Sequence, residues 1–177
     1  VVEMQCFTKR EPHSIACGVD HAVAILKECT GCRDEDGEWH NTASELEVQA
    51  VLDGEKLEPW APALKIRGRY RDFGILETVI LGVLGRQTTI ATNTGELLAA
   101  AGGKPVLFFP ARYDLPETQS ADGYAYKVAV DRFNGDTGSD LAPLVTTEAQ
   151  GEWWGGKGGG TVSHSYVLSF FGDCAES

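Results

Sequence analysis

The chain has 177 residues, 42% of them hydrophobic, enough for one good core or two small ones. Its 15 Lys and Arg against 26 Asp and Glu give a formal charge of −11, which argues against non-specific binding to nucleic acid or to an anionic membrane while leaving room for a phosphate-bearing substrate. No apolar run approaches the roughly 20 residues that span a bilayer. The five cysteines lack framework spacing, so reduced thiols and a cytoplasmic setting are expected.

The first residues, Val1-Val2-Glu3-Met4-Gln5, have neither an initiator Met nor signal-peptide anatomy, and the chain is expected to be a fragment of a longer protein. Residues 2–8 predict a strand. The basic pair Lys9-Arg10 follows it, either a solvated turn or a contact to a substrate or a partner subunit. Val19, Ala22, Val23 and Leu26 recur at helical spacing, with Asp20 suited to the first turn. Cys29-Thr30-Gly31-Cys32 is a C-x-x-C with His40 as the one further candidate ligand, or simply a helix end with a turn. Arg33 to Ser44 predicts an acidic surface loop. The stretches 46–51 and 64–70 alternate with period two and predict half-buried strands, with a turn at Asp53-Gly54. Residues 73–84 predict a helix buried on most sides, in which Glu77 needs a partner such as Arg86 or Arg71. A second helix is expected from Thr88 to Ala101, stopped by Gly102-Gly103.

After Gly103 the texture changes. Strand 104–109, a helical stretch near 117–130, strand 141–146 and strand 161–169 predict parallel β/α units. A closed barrel needs eight such strands, so the barrel is expected to be incomplete. The fold class is therefore α/β: an N-terminal α+β sandwich with linking helices over residues 1–102, then part of an irregular β/α barrel over 103–177. Arg112 leaves the first of these strands behind Phe108-Phe109. It is read as a clamp for an anionic group or as an arginine at the core edge. His164 lies between two serines in the last strand. It is read as a catalytic imidazole or as a core histidine. Gly151 to Gly158 nearly spells a phosphate-cradling loop, but Gly158 stands where Ser or Thr would hold magnesium. Lys157 keeps the ability to reach a phosphate.

The order Phe7-Thr8-Lys9-Arg10, Leu76-Glu77-Thr78-Val79-Ile80-Leu81, Ile90-Ala91-Thr92, Gly102-Gly103-Lys104-Pro105-Val106-Leu107, Phe109-Pro110-Ala111-Arg112 and Gly160-Thr161-Val162-Ser163-His164 resembles the nicotinate phosphoribosyltransferase family. These are type II phosphoribosyltransferases, related to the nicotinamide and quinolinate enzymes. The resemblance implies a sandwich followed by an irregular barrel. It also implies transfer of phosphoribosyl from phosphoribosyl pyrophosphate (PRPP) to nicotinate in NAD biosynthesis, with Mg2+ assisting and ATP as co-substrate. It implies a homodimer as well.

Residue by residue, Phe109 resembles the family aromatic that stacks on the pyridine ring, and Arg112 the arginine near carboxylate and phosphate. Thr146 and Thr147 fall at the turn beside ring and phosphates. His164 resembles the histidine that takes a phosphoryl group from ATP. No metal ligand is assigned. The family pattern Asp-Phe-Gly-x-Arg-Arg becomes Phe108-Phe109-Pro110-Ala111-Arg112-Tyr113, without the acid and the second arginine. The fragment is expected to be inactive alone. Alternatives are a catalytically degenerate nucleotide-binding or subunit-interaction homologue, or a quinolinate or nicotinamide enzyme.

Overall fold

The computed structural model of the chain describes residues 1–110 and 112–173. Ala111 and residues 174–177, where the sequence predicts that a further helix begins, fall outside them. The first half gives β1 (Val2–Phe7), β2 (Ser14–Ile15), α1 (Val19–Cys29), β3 (Gly31–Arg33), β4 (Trp39–Asn41), β5 (Glu47–Ala50), β6 (Lys56–Leu57), β7 (Pro62–Gly68) and the short α2 (Tyr70–Phe73). A long helix, α3 (Glu77–Ala100), follows. Then come β8 (Leu107–Phe108), α4 (Gln119–Thr137), β9 (Leu144–Val145), α5 (Glu148–Gly151) and α6 (His164–Ser169).

Strands β1, β7 and β5 form an antiparallel sheet in that order. Period-two alternation decides its faces. Leu64 and Ile66 of β7 point inward, where Val19, Ala22 and Leu26 of α1 and Ile80 and Leu84 of α3 cover them. Each fully buried Leu or Ile contributes about 1.5–3 kcal/mol. Lys65 and Arg67 point outward. Arg67 stands opposite Glu3 on one side and Glu47 on the other, so the central cationic strand lies between acidic edges.

Asp53 holds the first half to the second. Its Oδ1 accepts from Val19 N at 2.8 Å at the start of α1, and Tyr124 of α4 donates its hydroxyl to Oδ2 at 3.2 Å. Burial pushes the Asp53 carboxyl up despite these donors. Helix α3 packs against both α1 and α4. Ile15, Cys17, Ala91, Ala125 and Ala129 fill the seam, and Leu98, Tyr126, Val130 and Val145 make the core of the second half.

Several sequence expectations change. The two helices expected over 73–84 and 88–101 are one continuous α3, since Gly85-Arg86-Gln87 carries no proline or cap to break it. That helix is not buried on most sides: Ile75 just before it, and Val79 and Leu81 within it, are exposed. Glu77 is exposed, while Arg71 and Arg86 turn to Asp72 and to Asp114 and Asp122. The loop expected over 33–44 contains the hairpin β3–β4, closed by Asp34, which accepts from Glu38 N at 2.9 Å and meets His40 Nε2 at 2.6 Å. Cys32 faces Arg71 rather than joining His40 in a ligand set. The strands expected over 104–109 and 141–146 shrink to two residues each.

The strand expected over 161–169 is instead the short helix α6. Ser163 caps it, accepting from Tyr166 N at 3.2 Å, and among the described residues no neighbouring strand offers a ladder to compete.

Asp72 is buried beneath the hairpin, and burial alone would raise its carboxyl. Hydrogen bonds from Thr42, Arg69 and Arg71 outweigh that and hold it below the ordinary carboxylate range. A depressed folded-state value stabilises the fold above the unfolded value and is lost as pH falls through the folded one. Asp72→Asn is therefore expected to flatten the acid limb of the melting temperature between about pH 5 and pH 2. Thermal unfolding across that range checks it; an unchanged slope would contradict it.

Candidate active site

Strands β8 and β9 run parallel, with Leu107 opposite Leu144 and Phe108 opposite Val145. Gly158 continues the arrangement as a parallel bridge to Val145. Gly159 N donates to Val145 O at 2.8 Å and Gly160 N to Thr146 O at 3.0 Å. Three segments thus release the chain along one edge. Phe109 is the first residue beyond β8 and is 52% exposed. Thr146 and Thr147 are the first beyond β9. Parallel strand ends are where side chains from separate segments converge.

The turn after β9 is held by one amide. Gln150 Oε1 accepts from Thr146 N at 2.9 Å, Thr146 Oγ1 at 3.1 Å and Thr147 N at 3.2 Å. Its Nε2 donates to Gln119 Oε1 at 2.7 Å, and Gln119 Nε2 donates to Leu115 O at 3.3 Å in the loop that carries Arg112. Both glutamines are buried, so each unmade bond would cost about 1–3 kcal/mol. Their chain of bonds ties the β9 exit to the β8 exit. Close backbone approach makes this possible: a Cβ on Gly123 would lie 2.0 Å from Gln150 O, and one on Gly158 would lie 2.6 Å from Thr147 C.

The β8 exit is fixed a second time, by α3. Arg86 Nε and Nη2 donate to the two oxygens of Asp122 at 2.8 and 2.7 Å, and Nη2 also reaches Asp114 at 2.7 Å. The Asp122 bond holds the Arg86 guanidinium above its ordinary range. Asp122 is 1% exposed, which a lone carboxylate would not tolerate.

The sequence-assigned residues divide between two places. Phe109 and exposed Arg112 lie on the β8 exit, and Thr146 and Thr147 on the β9 exit. Thr146 is 3% exposed, and its hydroxyl is shared between Gln150 Oε1 at 3.1 Å and Phe108 O at 3.4 Å. Lys157 is exposed and immediately precedes the Gly158 bridge. His164 opens α6 and is exposed. Lys9 and Arg10 lie elsewhere, at the end of β1. Lys9 Nζ sits 4.9 Å over Trp60, and Arg10 bonds Asn93 and Glu96, each at 2.8 Å.

Sequence reasoning missed Gln150, Gln119, Asp114 and Asp122. The first had a signal, since Thr147-x-x-Gln150 has the spacing of a reciprocal helix cap. The others pair across long stretches of chain, which no local pattern reveals.

The family model described as "Quinolinate phosphoribosyl transferase, N-terminal domain" matches residues 1–88, from β1 into α3. Nicotinate phosphoribosyltransferase 1 of Arabidopsis thaliana is 31% identical over 128 residues, 72% of this chain and 21% of that protein. The crystal structure of nicotinate-nucleotide pyrophosphorylase from Pyrococcus furiosus superposes with a TM-score of 0.73 at 27% identity, over 96% of this chain and 38% of that one. The chain belongs to the nicotinate phosphoribosyltransferase family. Human nicotinic acid phosphoribosyltransferase shares the family fold at a TM-score of 0.69 and 22% identity, over 94% of this chain and 36% of that one. The chain spans from 15% to 26% of the length of the curated family members it matches. Among the described residues there is a mixed α/β fold with no closed barrel, in keeping with the family's N-terminal domain. No helix among them is long and apolar enough to cross a membrane.

Arg86→Met leaves Asp122 buried without a counter-charge and is expected to cost about 3–5 kcal/mol. The double variant Arg86→Met/Asp122→Leu removes both charges and is expected to recover most of that. Denaturant unfolding of the three proteins checks the pair; equal losses in single and double variants would contradict it.

Proposed function

We propose that this chain forms the base-binding part of a nicotinate phosphoribosyltransferase. The observation that carries the reading is the shared edge of β8 and β9, where Phe109 leaves one strand beside the Thr146-Thr147 turn of the other. In this proposal the pyridine ring lies on the Phe109 face and the guanidinium of Arg112 meets its carboxylate. The Thr146-Thr147 turn forms the wall between ring and phosphates, and Lys157 faces a phosphate. The ring nitrogen attacks the anomeric carbon of PRPP, the new C–N bond forms, and the C–O bond to pyrophosphate breaks. The sugar carbon gains positive charge as pyrophosphate leaves, so the protein's contribution is positioning and charge stabilisation.

His164 is proposed as the group that takes the γ-phosphoryl of ATP on an imidazole nitrogen, releasing ADP, with water later removing it. Its exposure at the start of α6 supports access to a nucleotide. Magnesium is the family's metal, but the described residues do not fit it at the strand ends: Asp114 and Asp122 are bound by Arg86, and Glu152 accepts from Ser120 at 2.7 Å. With two short parallel strands and one bridge, residues 1–177 alone are proposed not to turn over. A homodimer in a cytoplasmic setting completes the proposal.

A specific observation favours a second reading, a binding homologue without catalysis. Phe108, which stands where the family has an acid, is stacked on Tyr126 at 5.1 Å and belongs to the core. Quinolinate, with two carboxylates, fits less well, because among the described residues Arg112 is the one guanidinium of this exit not already bound to Asp114 and Asp122.

Calorimetric titration of the chain with nicotinate tests the reading. Arg112→Ala is expected to weaken binding by about tenfold or more, and Phe109→Ala by about fivefold. Affinities that neither variant changes would overturn the assignment. Binding with both effects, joined by pyrophosphate release from PRPP in the full-length gene product, would separate enzyme from binding homologue.

A further inference from the structure

We propose that the tip of the β3–β4 hairpin holds a divalent transition-metal ion of the Zn2+ class, with Asp34, Glu38 and His40 as its ligands. One ligand atom from each of these residues lies within 4.8 Å of the other two. Strand pairing brings this about. Cys32 stands opposite His40, so residues 32, 34, 38 and 40 share one face of the hairpin, and Arg33 and Trp39 share the other. The turn fixes that register. Asp34 N donates to Glu38 O at 3.0 Å, and Gly37 takes a φ of 83°. Asp34 Oδ1 accepts from Asp36 N at 3.0 Å and from Glu38 N at 2.9 Å. Its Oδ2 is left for the shared face, where it meets His40 Nε2 at 2.6 Å.

Charge calls for a cation there. Asp34, Glu35, Asp36 and Glu38 crowd four carboxylates into one turn. Arg33, on the opposite face, donates its Nη1 to Gly37 O at 2.7 Å. Among the described residues no Lys or Arg forms an ion pair with Asp34 or Glu38, and the Glu38 carboxylate has no hydrogen-bond partner. Even a protonated imidazole offsets only one of two carboxylates, whereas a divalent ion offsets both.

The donor set selects the ion. One imidazole nitrogen and two carboxylate oxygens suit Zn2+ and its first-row neighbours, with bonds of about 2.0–2.2 Å. Ca2+ takes about 6–8 oxygens and gains little from imidazole. Ligands of a tetrahedral ion stand about 3.4 Å apart, so the ion replaces the hydrogen between Asp34 and His40, and small rotations of exposed side chains seat it. Water completes the coordination. Cys32 turns its thiol to Arg71 at 3.9 Å and stays outside the set. The ion ties β3 to β4 beyond their last paired residues, Arg33 and Trp39.

The full chain, free of any affinity tag, is titrated with ZnCl2 by calorimetry and with CoCl2 by absorption. Asp34 is kept because its carboxylate builds the turn; His40→Gln and Glu38→Gln each remove one exposed ligand. The expected result is one ion per chain, bound at least about tenfold more weakly in each variant, and a cobalt spectrum without a thiolate charge-transfer band. Zn2+ is expected to raise the melting temperature of the wild type and of neither variant. Ca2+ is expected to bind at least about tenfold more weakly than Zn2+. Zn2+ affinity unchanged in either variant would overturn the site. A thiolate band, with binding lost in Cys29→Ser/Cys32→Ser and kept in His40→Gln, would move the ion to the cysteines and overturn the ligand set. Ca2+ binding as tight as Zn2+ would reduce the hairpin to an acidic surface and overturn the ion class.

Discussion

A single side-chain carbonyl does the work of a missing stretch of sheet. After β9 the backbone donors of Thr146 and Thr147 meet no neighbouring strand among the described residues, and Gln150 Oε1 receives both. The other end of the same amide reaches Gln119, and through it the carbonyl of Leu115. Two chain exits that are far apart in sequence are thereby fixed at one edge. An amide suits this role because it accepts at one end and donates at the other without carrying charge. A carboxylate at 150 would face Gln119 Oε1 without a proton to offer.

The rest of the molecule bears on that edge through α3. The helix buries one side against the β1–β7–β5 sheet and, further along, packs against α4. From it Arg86 reaches across to Asp114 and Asp122, so the loop with Arg112 is referenced to the first half of the chain as well as to the Gln119–Gln150 pair. Asp53 makes the reciprocal link, capping α1 while holding Tyr124 of α4. The candidate site is thus positioned by contacts that mostly lie outside it, which is how a site on short strands and loops acquires defined geometry.

The sequence made β1, α1, β5 and β7 legible, because their apolar residues recur at period two or at helical spacing over enough residues to be distinctive. It also made legible the parallel β/α order of β8, α4 and β9 after Gly103, whereas Phe109, Thr146 and Thr147 were singled out through the family resemblance. Three things were not legible, each for a physical reason. The helices read over 73–84 and 88–101 are one α3, since Gly85 between them weakens a helix without ending it. Val162 and the apolar run Tyr166-Val167-Leu168 read as a short strand, but strands need partners, and Ser163 offered the backbone a cap instead. The ties of Gln150 to Gln119 and of Arg86 to Asp122 span 31 and 36 residues, beyond any local pattern.

The central claim is that the Gln119–Gln150 amide pair holds both chain exits together. Native-state hydrogen exchange at the amides of Thr146, Thr147, Tyr113 and Asp114 tests it most directly, in the wild type and in Gln150→Leu. The account predicts that the substitution releases protection at both exits together while the amides of β7 and the middle of α3 keep theirs. Protection lost at Thr146 and Thr147 alone, or lost evenly across the fold, would contradict it.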